Sequence, residues 1–234
     1  MNPNRANLQR SLFMLAALCF SPSLGATTYV YTGAPYTAVF NFTSPCGTGP
    51  CANYVVGEKV TGQFTTTAPL GSNLVGQNVF PSVTSYSFSD GLVAYSSADP
   101  NSRVDNLVVS TDAIGGIVAF DVVVMRWQTG SSPHVAGDRL ARFFVSSSSV
   151  DVTENNAPCA AVVTAPSGVP DACVAFAPDT STSFGDALAH GSFSVLATPP
   201  SAIPALSVGA TILLSLLVAG SLLASRGIAR PYSG

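Results

Sequence analysis

The chain has 234 residues, 9% of them charged and 47% hydrophobic, with a formal net charge of −3 at pH 7. That charged fraction is far below the roughly 25% of ordinary globular proteins, and Ser, Thr, Gly and Pro take the place of the missing charge. Residues 27–200 carry five basic side chains (Lys59, Arg103, Arg126, Arg139, Arg142) against twelve acidic ones, a net of −7. A phosphate-rich partner is repelled by such a surface, which excludes nucleic-acid binding.

Arg5 and Arg10 precede a short apolar run, Ser11 to Phe20, broken by Pro22 and followed by Ser23, Gly25 and Ala26. A basic start, a short apolar stretch and small residues together predict a signal peptide over 1–26, cut after Gly25 or Ala26. Cys19 follows Leu18 rather than a small residue, which argues against a lipidated cysteine.

From Tyr29 onward the pattern is strand after strand. Tyr29 and Tyr31 alternate with polar neighbours, and Tyr36, Ala38, Phe40 and Phe42 share one face. Val60 to Thr67 is Thr-rich around Phe64, and Ser85 to Ser89 alternates Ser with Tyr86 and Phe88. Asp90-Gly91 then predicts a hairpin into Leu92–Tyr95, because both residues tolerate positive φ. Leu107–Ser110 is a short strand, Gly115-Gly116 a second hairpin turn, and Ile117–Trp127 the longest run and a candidate central strand. Ala141–Val145, Cys173–Phe176 and Ser192–Leu196 complete the set. Regular short strands without helical periodicity predict an all-β, antiparallel β-sandwich over 27–197, a jelly-roll arrangement among the compatible topologies. Four consecutive serines, Asn155-Asn156 and four prolines predict a loop-rich excursion over 146–186.

Residues 198–202 read as a stalk. Ile203 to Ala224 holds no charged residue, and 22 residues of helix reach about 33 Å, enough for a bilayer core of about 30 Å. One C-terminal transmembrane helix is therefore predicted over 203–225. Arg226 and Arg230 in the tail 226–234 favour its cytoplasmic placement, which leaves the β domain outside.

Without Cys19, four cysteines remain: Cys46, Cys51, Cys159 and Cys173. An even count in an exported domain predicts two disulfides in one of three connectivities. The local pairs Cys46–Cys51 and Cys159–Cys173 enclose loops rich in Gly, Pro or Ala and are favoured. Structural zinc would call for a second closely spaced pair.

Catalytic chemistry has no sequence signature. His134 and His190 sit beside Gly, Pro or Ser, and no Ser lies in a G-x-S-x-G elbow. The two glutamates, Glu58 and Glu154, and the turn-placed Asp90, Asp99 and Asp112 do not form a visible acid/base pair. Asp99, Asn101 and Asp105 offer oxygen ligands for calcium within seven residues, without the spacing of an EF-hand. Asn41-Phe42-Thr43 matches the N-glycosylation sequon inside a predicted strand. Tyr95, Trp127 and Asn106 are the candidates for a sugar-binding surface.

The tail Ile203-Pro204-Ala205-Leu206-Ser207, followed by an apolar span and Arg226, resembles the bacterial IPTL-CTERM sorting signals, relatives of the PEP-CTERM signals read by exosortase-type membrane proteases. Val60-Thr61-Gly62-Gln63-Phe64, Tyr86-Ser87-Phe88-Ser89-Asp90-Gly91 and Ser110-Thr111-Asp112-Ala113 are similar to phrases of small β-rich proteins with such tails. The resemblance implies a Gram-negative envelope protein, with Ile203, Pro204, Ala205 and Leu206 as the sorting motif. It implies a sorting protease and the inner membrane as partners, and an association with exopolysaccharide and biofilm. The function expected on that basis is a surface or matrix protein without catalytic activity. A membrane-anchored carbohydrate-binding module is the alternative, and an exported hydrolase the third reading.

Overall fold

The computed structural model describes residues 25–42 and 47–196. Thirteen strands appear in chain order: β1 (Thr27–Thr32), β2 (Tyr36–Phe40), β3 (Thr61–Thr66), β4 (Gln77–Asn78), β5 (Val83–Ser89), β6 (Ala94–Ser96) and β7 (Ser102–Thr111), then β8 (Ile117–Trp127), β9 (Arg139–Ser146), β10 (Val152–Val163), β11 (Ala172–Phe176), β12 (Ser183–Ala187) and β13 (Ser192–Val195). Among the described residues the helical turn is a short 3-10 segment, Phe80–Ser82. The expected all-β, antiparallel character is found. Among the described residues no helix is long and apolar enough to cross a membrane. The predicted span 203–225, the signal segment and the motif Ile203, Pro204, Ala205 and Leu206 lie outside those residues.

Two sheets face each other across one core. The smaller has the order β13-β1-β3-β5-β6, and the larger β2-β12-β10-β9-β8-β7-β4, with β11 paired to β10 alone. Both edge strands of the smaller sheet, β13 and β6, contact β8. The Asp90-Gly91 hairpin forms as expected, with Phe88 opposite Tyr95 and Ser89 opposite Ala94, and Gly91 takes φ +94.

The core follows from strand alternation. On β1 and β3, Tyr29, Tyr31 and Phe64 point inward, and Tyr29 stacks on Phe64 at 5.1 Å between centroids. β8 turns Val122 and Val124 into this core and Met125 and Trp127 to its other side. Burial on both sides is why its sequence reads as an unbroken apolar run. A second cluster forms there from Met125, Trp127, Leu140, Cys159, Ala165, Ala172 and Cys173.

The expected excursion over 146–186 is corrected. It contains β10, twelve residues long, together with β11 and β12. β10 carries Asn155-Asn156 and Pro158, which look like turn residues. The β9 register skips between Glu154 and Ala157, and Asn156 sits at φ +61, so the two asparagines form a bulge inside the strand. Beyond it β10 pairs with β11 through Cys159–Val163. The segment from Thr164 to Asp171 then folds over the outer face of the larger sheet. The Cys159–Cys173 disulfide, with Cα atoms 5.8 Å apart, closes it as expected. Cys51 is also disulfide-bonded; Cys46, its expected partner, lies outside the described residues.

Candidate functional site

The most concentrated polar chemistry lies where this flap meets the β8–β9 connection. Asp171, at φ +57 before β11, is the hub. Its Oδ2 takes the Ser132 hydroxyl at 2.9 Å, the His134 Nδ1 at 2.9 Å and an Arg103 guanidinium nitrogen at 3.2 Å. Its Oδ1 accepts the His134 backbone N–H at 2.7 Å, and its carbonyl accepts the Trp127 indole N–H at 3.0 Å. The His134 ring stacks on Trp127 with centroids 4.3 Å apart and planes within 5°, and its side chain is 1% exposed.

Burial alone would raise the Asp171 carboxyl. The bonds from the His134 ring, its amide and Ser132 outweigh burial and hold the carboxyl down at about 2. The folded state therefore prefers the carboxylate more strongly than the unfolded chain does. That stability is complete above the ordinary aspartate value of about 3.9 and is lost as pH falls toward 2. Asp179 behaves alike: its bidentate contact with Arg139 lowers it to about 2. Urea midpoints are expected to fall between about pH 4 and pH 2, and Asp171→Asn to remove about 1–2 kcal/mol of that loss. An Asp171→Asn protein with an unchanged acid profile would refute this assignment.

Ser, His and Asp thus converge, and the order of contacts decides what they can do. A nucleophilic triad places the serine on one ring nitrogen and the carboxylate on the other. Here Ser132 and His134 address the same carboxylate oxygen, so the imidazole takes no proton from Ser132 in this arrangement. The cluster joins the flap to the β8–β9 connection.

A second polar centre, invisible in the sequence, lies between the sheets. Asp90 is 0% exposed. Its Oδ2 accepts hydroxyls from Tyr95 at 2.6 Å and from Tyr54 and Thr153 at 2.8 Å. Its Oδ1 accepts the amides of Val93 at 2.6 Å and Leu92 at 2.9 Å, and its carbonyl accepts the Tyr36 hydroxyl at 2.8 Å. Burial raises its carboxyl, and the bonds from Tyr95, Val93, Thr153 and Tyr54 only partly offset that. Asp151 repeats the motif: its carboxylate binds the Tyr31 hydroxyl at 2.7 Å and the Ala34 amide at 3.3 Å. Asp90 was legible as a turn residue, but its inward side chain was not. The available signal was the supply of strand tyrosines, since a buried phenol needs a partner.

The remaining candidates fall apart spatially. Tyr95 and Trp127 are buried at 0% and 2% exposure, so neither offers a face to a sugar, and the Asn106 amide is bonded to Asp121 at 2.9 Å. The calcium set is corrected: Asp99 is committed to Arg126 at 2.5 Å and to the Asn101 amide at 2.9 Å. Asp105 lies within β7 rather than in the preceding loop, because the strand begins at Ser102. No group of three or more His, Cys, Asp or Glu side chains placed to hold a metal ion occurs among the described residues. Asp105 Oδ1 is the one buried side-chain oxygen there with no hydrogen-bond partner. Both functional atoms of the Asn41 side chain bond the Tyr54 backbone, at 2.9 and 3.0 Å, which closes the sequon amide. His190 is exposed and packs edge-on to Phe120 at 6.1 Å. Glu154 pairs with Arg142 at 2.7 Å, beneath the Phe176 ring that covers the guanidinium at 3.4 Å. Glu58 bonds the Val55 amide at 2.8 Å.

Comparison with protein-family models, with curated proteins and with solved structures gives no match.

Proposed function

We propose that this chain is an exported, envelope-sorted surface or extracellular-matrix protein whose β domain has no catalytic activity. The observation that supports the reading best is that five of the domain's carboxylates are closed onto donors of the same chain. Asp90, Asp151, Asp171, Asp179 and Glu154 each bind donors of the same chain. A general acid or base needs a site where a substrate proton can come within hydrogen-bond reach, and these carboxylates are filled. The sparse surface charge and the disulfides suit a module that persists outside the cell.

Anchoring and sorting rest on the sequence pattern of residues 203–226. The test is to express the full chain in a host with an exosortase-type protease and in one without, then measure the intact mass of the β-domain product. A C-terminus near Pro204 only when the protease is present is expected. An uncleaved tail in both hosts would leave an anchored protein without sorting. The hydrolase reading would return if the purified chain cleaved p-nitrophenyl esters and Ser132→Ala abolished that activity. The carbohydrate-binding reading loses its aromatic candidates: the six described tyrosines and Trp127 are all buried, while Phe40 is 63% exposed.

A further inference from the structure

We infer that one corner of the β domain is a lipid-contacting surface, resting on the bilayer in which the apolar run starting at Ile203 is embedded. The inference depends on the membrane anchoring proposed above and adds to it a site on the β domain.

The corner is traced by consecutive contacts. The described chain ends at Leu196, whose N–H bonds the Thr28 carbonyl at 2.9 Å. Beside Thr28, the Thr27 carbonyl takes the Thr66 hydroxyl at 3.3 Å, and that hydroxyl also reaches the Ala68 carbonyl at 2.6 Å. Leu70 follows, its N–H on the Tyr29 hydroxyl at 2.8 Å. Gly115 lies against Leu70: a Cβ there would sit 2.6 Å from the Leu70 carbonyl oxygen. Ile114 is thereby next to the β3–β4 connection, and the backbone bond from Asn73 to Asp112 at 2.9 Å ties the two loops together.

This corner exposes apolar side chains to solvent. Ile114 is 92% exposed, Val75 87% and Leu196 53%. Within the β3–β5 connection itself lies an open cleft of about 290 Å³ lined by Ala68, Pro69, Leu70, Leu74 and Val79 with a polar rim. Residues 66–82, 110–119 and 192–196 contain no lysine, arginine or glutamate, and one aspartate, Asp112. The Asp112 carboxylate is turned into its own loop, bonding the amides of Ile114 at 2.9 Å and Gly116 at 2.8 Å. Exposed Val55 and Val56, by contrast, lie in a segment that also carries Glu58 and Lys59. An apolar surface with so little charge suits a lipid headgroup boundary better than an acidic or basic partner.

Chain length supplies the occupant. Six residues, 197–202, separate Leu196 from Ile203. Fully extended, the seven Cα–Cα steps from Leu196 to Ile203 span at most about 25 Å. A chain anchored at Ile203 keeps the Leu196 corner within that distance of lipid, where a weak apolar contact acts at high effective concentration.

The experiment uses the full chain reconstituted in phosphatidylcholine vesicles with brominated acyl chains. Trp127 is 2% exposed and serves as the internal baseline. Ile114→Trp and, as an independent probe, Val75→Trp are compared with Val135→Trp, which replaces a side chain 61% exposed on the β8–β9 connection. Several-fold stronger quenching at positions 114 and 75 than at 135 is expected, with a blue-shifted emission. Vesicle flotation is run in parallel. A chain that floats, yet shows equal quenching at all three positions, overturns the lipid-contacting corner and leaves the anchor standing. A chain that does not float overturns both.

Discussion

Asp90→Ala is expected to be the most damaging single substitution in the β domain, costing about 3–4 kcal/mol in urea denaturation. The side chain is 0% exposed and holds three hydroxyls and two amides. Removing it leaves Tyr54, Tyr95 and Thr153 to pair among themselves and strands the amides of Leu92 and Val93 in the core. Asp90→Asn keeps an acceptor for both amides and is expected to cost about half as much. The two variants separate acceptor loss from charge loss. Because burial raises the Asp90 carboxyl, its contribution is fully present below the unfolded value and declines as pH rises through the folded one. The gap between the wild type and Asp90→Asn should therefore be wider in acid than at neutral pH. Equal stability of the alanine variant and the wild type would refute the role assigned to Asp90.

Opening the Cys159–Cys173 disulfide, by the double serine variant, is expected to cost about 3 kcal/mol, in line with a closed loop of this length. The two cysteines are 14 residues apart and sit in the second core with Met125, Trp127 and Leu140. Freed of the bond, the flap loses the covalent link between its two ends, while Asp171, two residues before Cys173, still holds that end through His134 and Arg103. Trp127 reports the result directly: its emission should shift to the red as the flap loosens, before the main core unfolds. A single transition in which Trp127 and the far-ultraviolet signal change together, at an undiminished urea midpoint, would show that the flap does not depend on the bond. Asp171→Asn in the same background should lower the Trp127 transition further, since the two anchors secure one segment.

Local pattern carried much of the strand reading. Tyr29 and Tyr31, Tyr86 and Phe88, and the Val-rich run of β8 alternate or accumulate according to which faces are buried. Asp90-Gly91 turned the chain where its backbone chemistry said it would. The same logic failed at β10, whose Asn155-Asn156 and Pro158 look like loop residues. They stay in a strand because long-range partners satisfy them. The Asn156 side-chain N–H groups donate to the carbonyls of Thr48 at 2.6 Å and Ser181 at 3.1 Å, and the Gln128 amide donates to Asn155 at 2.7 Å. None of these partners is near in sequence, so no local rule could supply them. Asp105 failed for a related reason: a strand that begins at Ser102 removes it from the loop that the calcium reading needed.

The candidate site was less legible than the fold. His134 and Ser132 were visible as residues, but Asp171 is 37 and 39 positions away and reaches them only because the flap folds back over β8. Sequence alone determined the all-β character, most strand positions and the acidic, sparsely charged composition, and it favoured the local Cys159–Cys173 pairing among three connectivities, because alternation, turn residues and loop length act over a few neighbours. Tertiary structure alone decided the strand order of the two sheets, that β10 runs through its asparagines, that Asp90 lies between the sheets and that Ser132 meets Asp171 instead of a ring nitrogen. Those outcomes depend on which distant groups satisfy one another's hydrogen bonds once water is excluded, and that pairing is set by the packed fold and not by any stretch of chain.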